Sequence, residues 1–176
     1  MKTQSLYISS VEPYSGSLIV SMGLMEMLKG RFEKVAFFRP FIERKERPDG
    51  DISFMLEHFA LKMEYADAFG FYVDEVQEFV SQNRTQALLG SLLEKFKTLQ
   101  QEYDFVLCEG LNRESFSLSI GFDLNIVVSK NLGTPFISVL NARYKSVKAI
   151  SDEMKILQET LKAEGSTHFA AFINRT

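Results

Sequence analysis

Short apolar runs alternate with longer stretches of helical periodicity along the chain. Leu6-Tyr7-Ile8 is the first run and reads as a buried strand. The loop Ser9 to Ser17 follows, and Leu18 to Leu28 then sets Ile19, Met22, Met25 and Leu28 at helical spacing, which predicts them as an inward face. Lys34-Val35-Ala36-Phe37-Phe38 predicts a second strand, ended by Arg39-Pro40. Glu43 to Asp51 is a charged loop around the turn Pro48-Asp49-Gly50. Asp51 is placed to cap a helix over Ile52 to Leu61, with Phe54, Met55, Phe59 and Leu61 largely buried. Two further helices are predicted over Val73 to Gln82 and Arg84 to Glu102.

Tyr103 to Gly110 is the clearest strand, an unbroken apolar run closed by Glu109-Gly110, as in a strand buried on both faces of a parallel sheet. A polar loop over Asn112 to Ser119, a helix over Phe122 to Leu132 and a strand at Phe136 to Leu140 come next. Ser146 to Glu164 is a long amphipathic helix, and His168 to Ile173 is the last strand. Strands alternating with helices throughout predict an α/β fold, a doubly wound, mostly parallel sheet with helices on both faces, in one domain over residues 1–176. An end three residues past a buried strand reads as a fragment of a longer chain.

Composition narrows the function classes only a little. The formal net charge of −3 supplies no electrostatic footprint for nucleic acid or an anionic membrane. Cys108 is the sole cysteine, so no internal disulfide can form. With no secretory leader pattern and no run approaching a membrane span, a cytoplasmic protein is expected. Met22, Met25 and Met27 read as core, Cys108 as a packing residue, and neither His58 nor His168 has a partner at metal-ligand spacing.

A strand, a tight loop ending in Gly16-Ser17 and a helix form the layout of a phosphate-binding loop, in which helix-terminal amides face an anion. The chemistry of a nucleotide site is missing from it. Ser17 stands where such a loop has the lysine that reaches the terminal phosphates, and Leu18 where it has the hydroxyl that ligates magnesium. In doubly wound sheets ligands bind outside the carboxyl ends of the strands. That edge should gather Glu12, Tyr14, Ser15, Gly16, Ser17, Arg39, Asp51, Glu109 and Asn174. Glu109 is either a magnesium-side carboxylate of the Walker B kind or a strand-end acid, solvated or paired with Arg39. Arg39 is either an anion-binding residue or a surface cation, and Asn174-Arg175 either meets a base edge or ends a strand.

Phe38-Arg39-Pro40, Asp51, Val106-Leu107-Cys108-Glu109-Gly110-Leu111 and Ile173-Asn174-Arg175 follow Gly16-Ser17-Leu18 in the order of the dethiobiotin synthetase-like P-loop family. Within it the chain resembles most the N-terminal domain of the long form of bacterial phosphate acetyltransferase, over nearly its whole length. The resemblance implies Glu109 and Asp51 as metal-side carboxylates, holding a cation weakly if at all. It implies Arg39 as the basic residue after strand two and Asn174 as a base-side residue. It further implies no required cofactor, a weakly bound anion or a metabolite effector such as pyruvate or NADH, and a homo-oligomer. Acetyl transfer between coenzyme A and phosphate would belong to a C-terminal domain of the same chain, leaving this one a regulatory and assembly role. The rival readings are an ATP-dependent synthetase of the dethiobiotin type and a scaffold whose loop binds nothing.

Overall fold

The computed structural model describes residues 4–44, 46–111 and 118–175, with side chains of 118–123 left aside. Six strands form one parallel sheet: β1 (Gln4–Ser10), β2 (Val35–Ile42), β3 (Phe69–Tyr72), β4 (Phe105–Glu109), β5 (Phe136–Asn141) and β6 (His168–Asn174), in the order β3-β2-β4-β1-β5-β6. The helices are α1 (Ser17–Lys29), α2 (Gly50–His58), α3 (Val73–Ser81), α4 (Thr85–Glu102), α5 (Leu118–Leu132) and α6 (Val147–Ala163), with a 3-10 turn at Tyr65–Asp67. None of the helices among the described residues is long and apolar enough to cross a membrane.

Strand alternation sorts the core into two layers. Tyr7, Phe38, Cys108 and Phe136 join Leu92 and Phe96 of α4 and Leu157 and Leu161 of α6 on one face. Their neighbours Ile8, Phe37, Leu107 and Ile137 join Met25 of α1 and Ile52 and Met55 of α2 on the other. The fold is a three-layer doubly wound α/β sandwich. Cys108 is wholly buried and burial pushes its thiol up, as a packing residue requires.

Several boundaries differ from the sequence reading. β2 runs through Arg39-Pro40 to Ile42, because Pro40 lies beside the short strand β3, which the sequence pattern did not announce. Pro40 has no N–H to donate, and the backbone of Gly70 lies so close to the Pro40 carbonyl that an added Cβ would come within 2.4 Å of its oxygen. Asp49, not Asp51, caps α2, its carboxylate accepting from the amides of Asp51 and Ile52. Phe54, Ile19 and Met27 are exposed instead of buried. The face that α1 buries is Ser17, Ser21, Met25 and Leu28. α5 begins at Leu118 instead of Phe122, and the polar loop expected over Asn112 to Ser119 falls mostly outside the described residues.

Candidate functional site

The carboxyl ends of β1, β2, β4 and β6 bring most of the expected residues to one edge of the sheet. The chain leaves β1, passes Tyr14 with φ of 57°, and enters α1 through Gly16 with φ of 79°. That left-handed geometry is cheap only for glycine, and an added Cβ would lie 2.5 Å from Asn174 Nδ2. Asn174 Nδ2 donates to the Ser15 carbonyl at 3.0 Å, so the last strand pins the loop from the side. No side chain caps α1 and no acid occupies its first turn in sequence. The Ser10 and Ser15 hydroxyls are buried without a hydrogen-bond partner.

Glu109 ends β4 beneath α1 and is 1% exposed. Ser17 Oγ donates to its Oε1 at 3.0 Å, and Ser21 Oγ, one turn further along α1, donates to Oε2 at 2.6 Å. Burial pushes the Glu109 carboxyl above its ordinary range, against the pull of the Arg39 guanidinium and of the two hydroxyls. The serine at the lysine position of the loop therefore binds the acid at the end of β4.

Arg39 is the second buried charge. Its Nη1 donates to Asp49 Oδ1 at 2.9 Å and to Asp51 Oδ2 at 3.0 Å. Burial works against the guanidinium, but Glu109, Asp49 and Asp51 together hold its pKa above the usual value. Arg39 Nε is buried and unpartnered. Asp49 also receives the Arg39 ion pair while capping α2, and its amide donates to Tyr65 Oη at 2.6 Å. Asp51 thus serves Arg39. Among the described residues no group of three or more His, Cys, Asp and Glu side chains is arranged to hold a metal ion.

Glu12 faces away from this cluster. Its Oε1 accepts from Lys145 Nζ at 2.6 Å and from the Asn141 amide at 2.9 Å, and Lys145 also pairs with Glu153. Tyr14 is two-thirds exposed on the outer side of the loop. Sequence reasoning missed Ser21, Asp49 and Asn125. Asn125 accepts from Tyr7 Oη and the Leu111 amide through one oxygen and donates to the Leu111 carbonyl, fixing the turn after β4. Gly110 is required there, because an added Cβ would lie 2.5 Å from Asn125 Oδ1.

A family model described as an AAA domain matches residues 4–176. The phosphate acetyltransferase of Nitratidesulfovibrio vulgaris is 33% identical over 175 residues, covering 98% of this chain and 25% of that protein. That of Synechocystis sp. is 29% identical with the same coverage, and that of Helicobacter pylori is 26% identical over 155 residues, covering 87% of this chain and 27% of that protein. The chain spans about a quarter of the length of the curated relatives it matches. Among solved structures, the chimerical protein CapA2B2 matches with a TM-score of 0.60 at 17% identity, covering 100% of this chain and 77% of that one. A GTPase in apo form from Pyrococcus abyssi matches with a TM-score of 0.56 at 12% identity, covering 94% and 65%. These two likenesses carry the fold and nothing more.

Proposed function

The chain belongs to the AAA domain family, and from that premise we propose that it is a non-catalytic member, the regulatory and assembly domain of a phosphate acetyltransferase. The observation that carries this reading is the hydrogen bond from Ser17 to Glu109. An active loop of this kind directs a lysine at the terminal phosphates and holds magnesium between a loop hydroxyl and a carboxylate. Here the residue at the lysine position is neutral, short and engaged with the carboxylate, and Leu18 offers hydrocarbon where the metal ligand belongs.

What remains is suited to binding without turnover. The uncapped N-terminus of α1 and the unpartnered Ser10 and Ser15 hydroxyls favour a small anion, phosphate or a metabolite carboxylate, held weakly at Ser15 to Ser17. Arg39 and Asp51 act at one remove: Arg39 holds the α2 N-terminus through Asp49 and Asp51 and favours the charged form of Glu109 electrostatically. Acetyl transfer itself belongs to another domain of the same polypeptide, a reading supported by relatives four times this length that carry that name. Deleting residues 1–176 from the full-length protein tests it. Acetyl transfer should survive with effector response or oligomer size changed; unchanged response and unchanged size would defeat the proposal.

A further inference from the structure

The amino ends of the strands carry a second concave surface, on the opposite edge of the sheet from the Gly16 loop and from the end of β6. A cleft of about 490 Å³ opens there between the end of α1, the turn after α2 and the end of α4, within the volume range of small-molecule sites (roughly 300–1,000 Å³). Its walls are tied to one another. Lys29 Nζ donates to the Phe59 carbonyl, Tyr103 Oη donates to the Lys62 carbonyl at 2.9 Å, and the Asp104 amide donates to the Lys34 carbonyl at 2.8 Å. The turn after α2 is a Schellman motif: Leu61 N donates to Leu56 O and Ala60 N to Glu57 O, with Ala60 at φ of 47° in the position glycine usually takes. The cleft is therefore built before any ligand arrives.

Both signs of charge stand around an apolar floor. Val35 is buried, and Leu61 and Tyr103 are half-buried beside it. The Lys34 and Lys62 side chains make no hydrogen bond or ion pair among the described residues, and neither do those of Glu33 and Glu102. Glu102 is also misplaced for its helix. It ends α4, whose last turn holds no basic residue, and a helix C-terminus disfavours an acid. α1 and α2 end instead on Lys29 and His58. We propose that the cleft binds a small zwitterion with an apolar body, an α-amino acid with a large apolar side chain. Its ammonium meets Glu33 and Glu102, its carboxylate meets Lys34 and Lys62, and its side chain covers Val35, Leu61 and the Tyr103 ring. A plain carboxylate leaves the two acids and the end of α4 unanswered, and a plain amine leaves the two free lysines so. The zwitterion answers both signs.

The cleft shares no residue with the loop, so the anion-binding reading above stands or falls separately. Calorimetric titration with L-phenylalanine, phenylpropionate and phenylethylamine tests it, because these probes share one aromatic body and differ in charge. Phenylalanine should bind at least about fivefold more tightly than either analogue, the usual upper worth of one exposed ion pair. Glu102 and Lys62 are exposed, so neutral substitutions there leave the fold intact. Glu102→Gln should weaken phenylalanine about fivefold and spare phenylpropionate. Lys62→Gln should weaken phenylalanine by the same factor and spare phenylethylamine. Neither should change phosphate binding. No phenylalanine binding at millimolar concentration, equal affinity for all three probes, or phenylalanine binding indifferent to both substitutions would each overturn the proposal. Phosphate binding lost in Lys62→Gln would make the cleft a plain anion site and overturn it as well.

Discussion

Ser21 Oγ donates to Glu109 Oε2 at 2.6 Å, joining the second turn of α1 to the end of β4 across 88 residues of sequence. With Ser17 on the other oxygen, the carboxylate is satisfied by hydroxyls from one helix face. A buried acid must find donors or give up its charge. Hydrogen bonds to charged groups are worth about 1.5–3 kcal/mol, so Ser21→Ala should destabilise the fold by roughly that much. The denaturant midpoint reads it, with the slope unchanged. Ser17→Ala should cost less, because its bond is longer. A Ser21→Ala protein as stable as the parent would show that the bond carries no net energy.

Glu109 makes stability depend on pH in an unusual direction. Its folded-state pKa lies above the unfolded value because burial disfavours the carboxylate. The folded chain therefore binds a proton more readily, and Glu109 contributes most below the unfolded pKa of about 4.3, losing that contribution as pH rises through the folded value. Glu109→Gln keeps an acceptor for the serines and has no charge to bury. It should raise the melting temperature at neutral pH, by roughly 2–4 °C if about 1 kcal/mol is recovered. The gain should shrink as pH falls through the folded pKa. A gain that grew on acidification would contradict the assignment.

Arg39 sits between Glu109 and the two aspartates at the head of α2. Arg39→Met strands Asp49, which is 13% exposed, and should cost about 3–5 kcal/mol, the usual result of removing one partner of a buried pair. Asp51 adds less, being 38% exposed and better solvated. Asn at position 49 still caps a helix well. Asp49→Asn combined with Arg39→Met should therefore recover part of the loss, with a coupling energy of roughly 1–3 kcal/mol in a double-mutant cycle. Strict additivity would mean that the pair does not act as a unit.

Gly16 tests the loop. Any side chain there meets both a φ of 79° and the Asn174 amide at 2.5 Å from Cβ. Gly16→Val should lose phosphate or sulfate binding and destabilise the fold by roughly 1–3 kcal/mol, the scale of backbone strain in this region. Phosphate titration followed by the shift in melting temperature measures both. Anion binding unaffected by Gly16→Val would place the anion elsewhere.

The strands that build the sheet were legible because they are apolar on both faces and closed by punctuation: Cys108-Glu109-Gly110 announces both a buried strand and its end. β3 was not, because Phe69-Gly70-Phe71-Tyr72 is too short to show a period and its partner strand lies almost thirty residues upstream. Glu109, Gly16 and Arg39 could be read as site residues from their positions at strand and loop ends. Ser21 could not: a serine within a helix carries no local signal that it faces an acid 88 residues away. The same acid explains why Ile19 was misplaced in the α1 stripe, of which Met25 and Leu28 are buried as expected. Glu109 requires donors, so α1 turns Ser17 and Ser21 inward and leaves Ile19 to solvent. Asp49 and Asp51 both stand where a cap could, and the choice fell to Asp49 because Arg39 and Tyr65 hold it there.

ATP is where the loop's losses should be plainest. A P-loop lysine matches the charge of the terminal phosphates, and the adjacent hydroxyl helps hold magnesium between them. Ser17 has no charge and is held at Glu109, while Leu18 has no oxygen. Asp51 is held by Arg39 and Glu109 by two serine hydroxyls, and neither carboxylate has a loop hydroxyl at position 18 beside it to complete a magnesium site. Restoring Ser17→Lys alone should not recover the activity, because the nearest counter-charge to a lysine there is Glu109, which would capture it. Single donors to developing charge are each worth about 3–4 kcal/mol in catalysis, and two such elements are missing here. No measurable ATP hydrolysis is therefore expected, with Mg-ATP affinity no better than roughly millimolar, or about −4 kcal/mol. Calorimetric titration with Mg-ATP beside a turnover assay decides it. Binding a thousandfold tighter that requires magnesium, or turnover abolished by Glu109→Gln, would make this chain an ATP-dependent enzyme and the regulatory reading wrong.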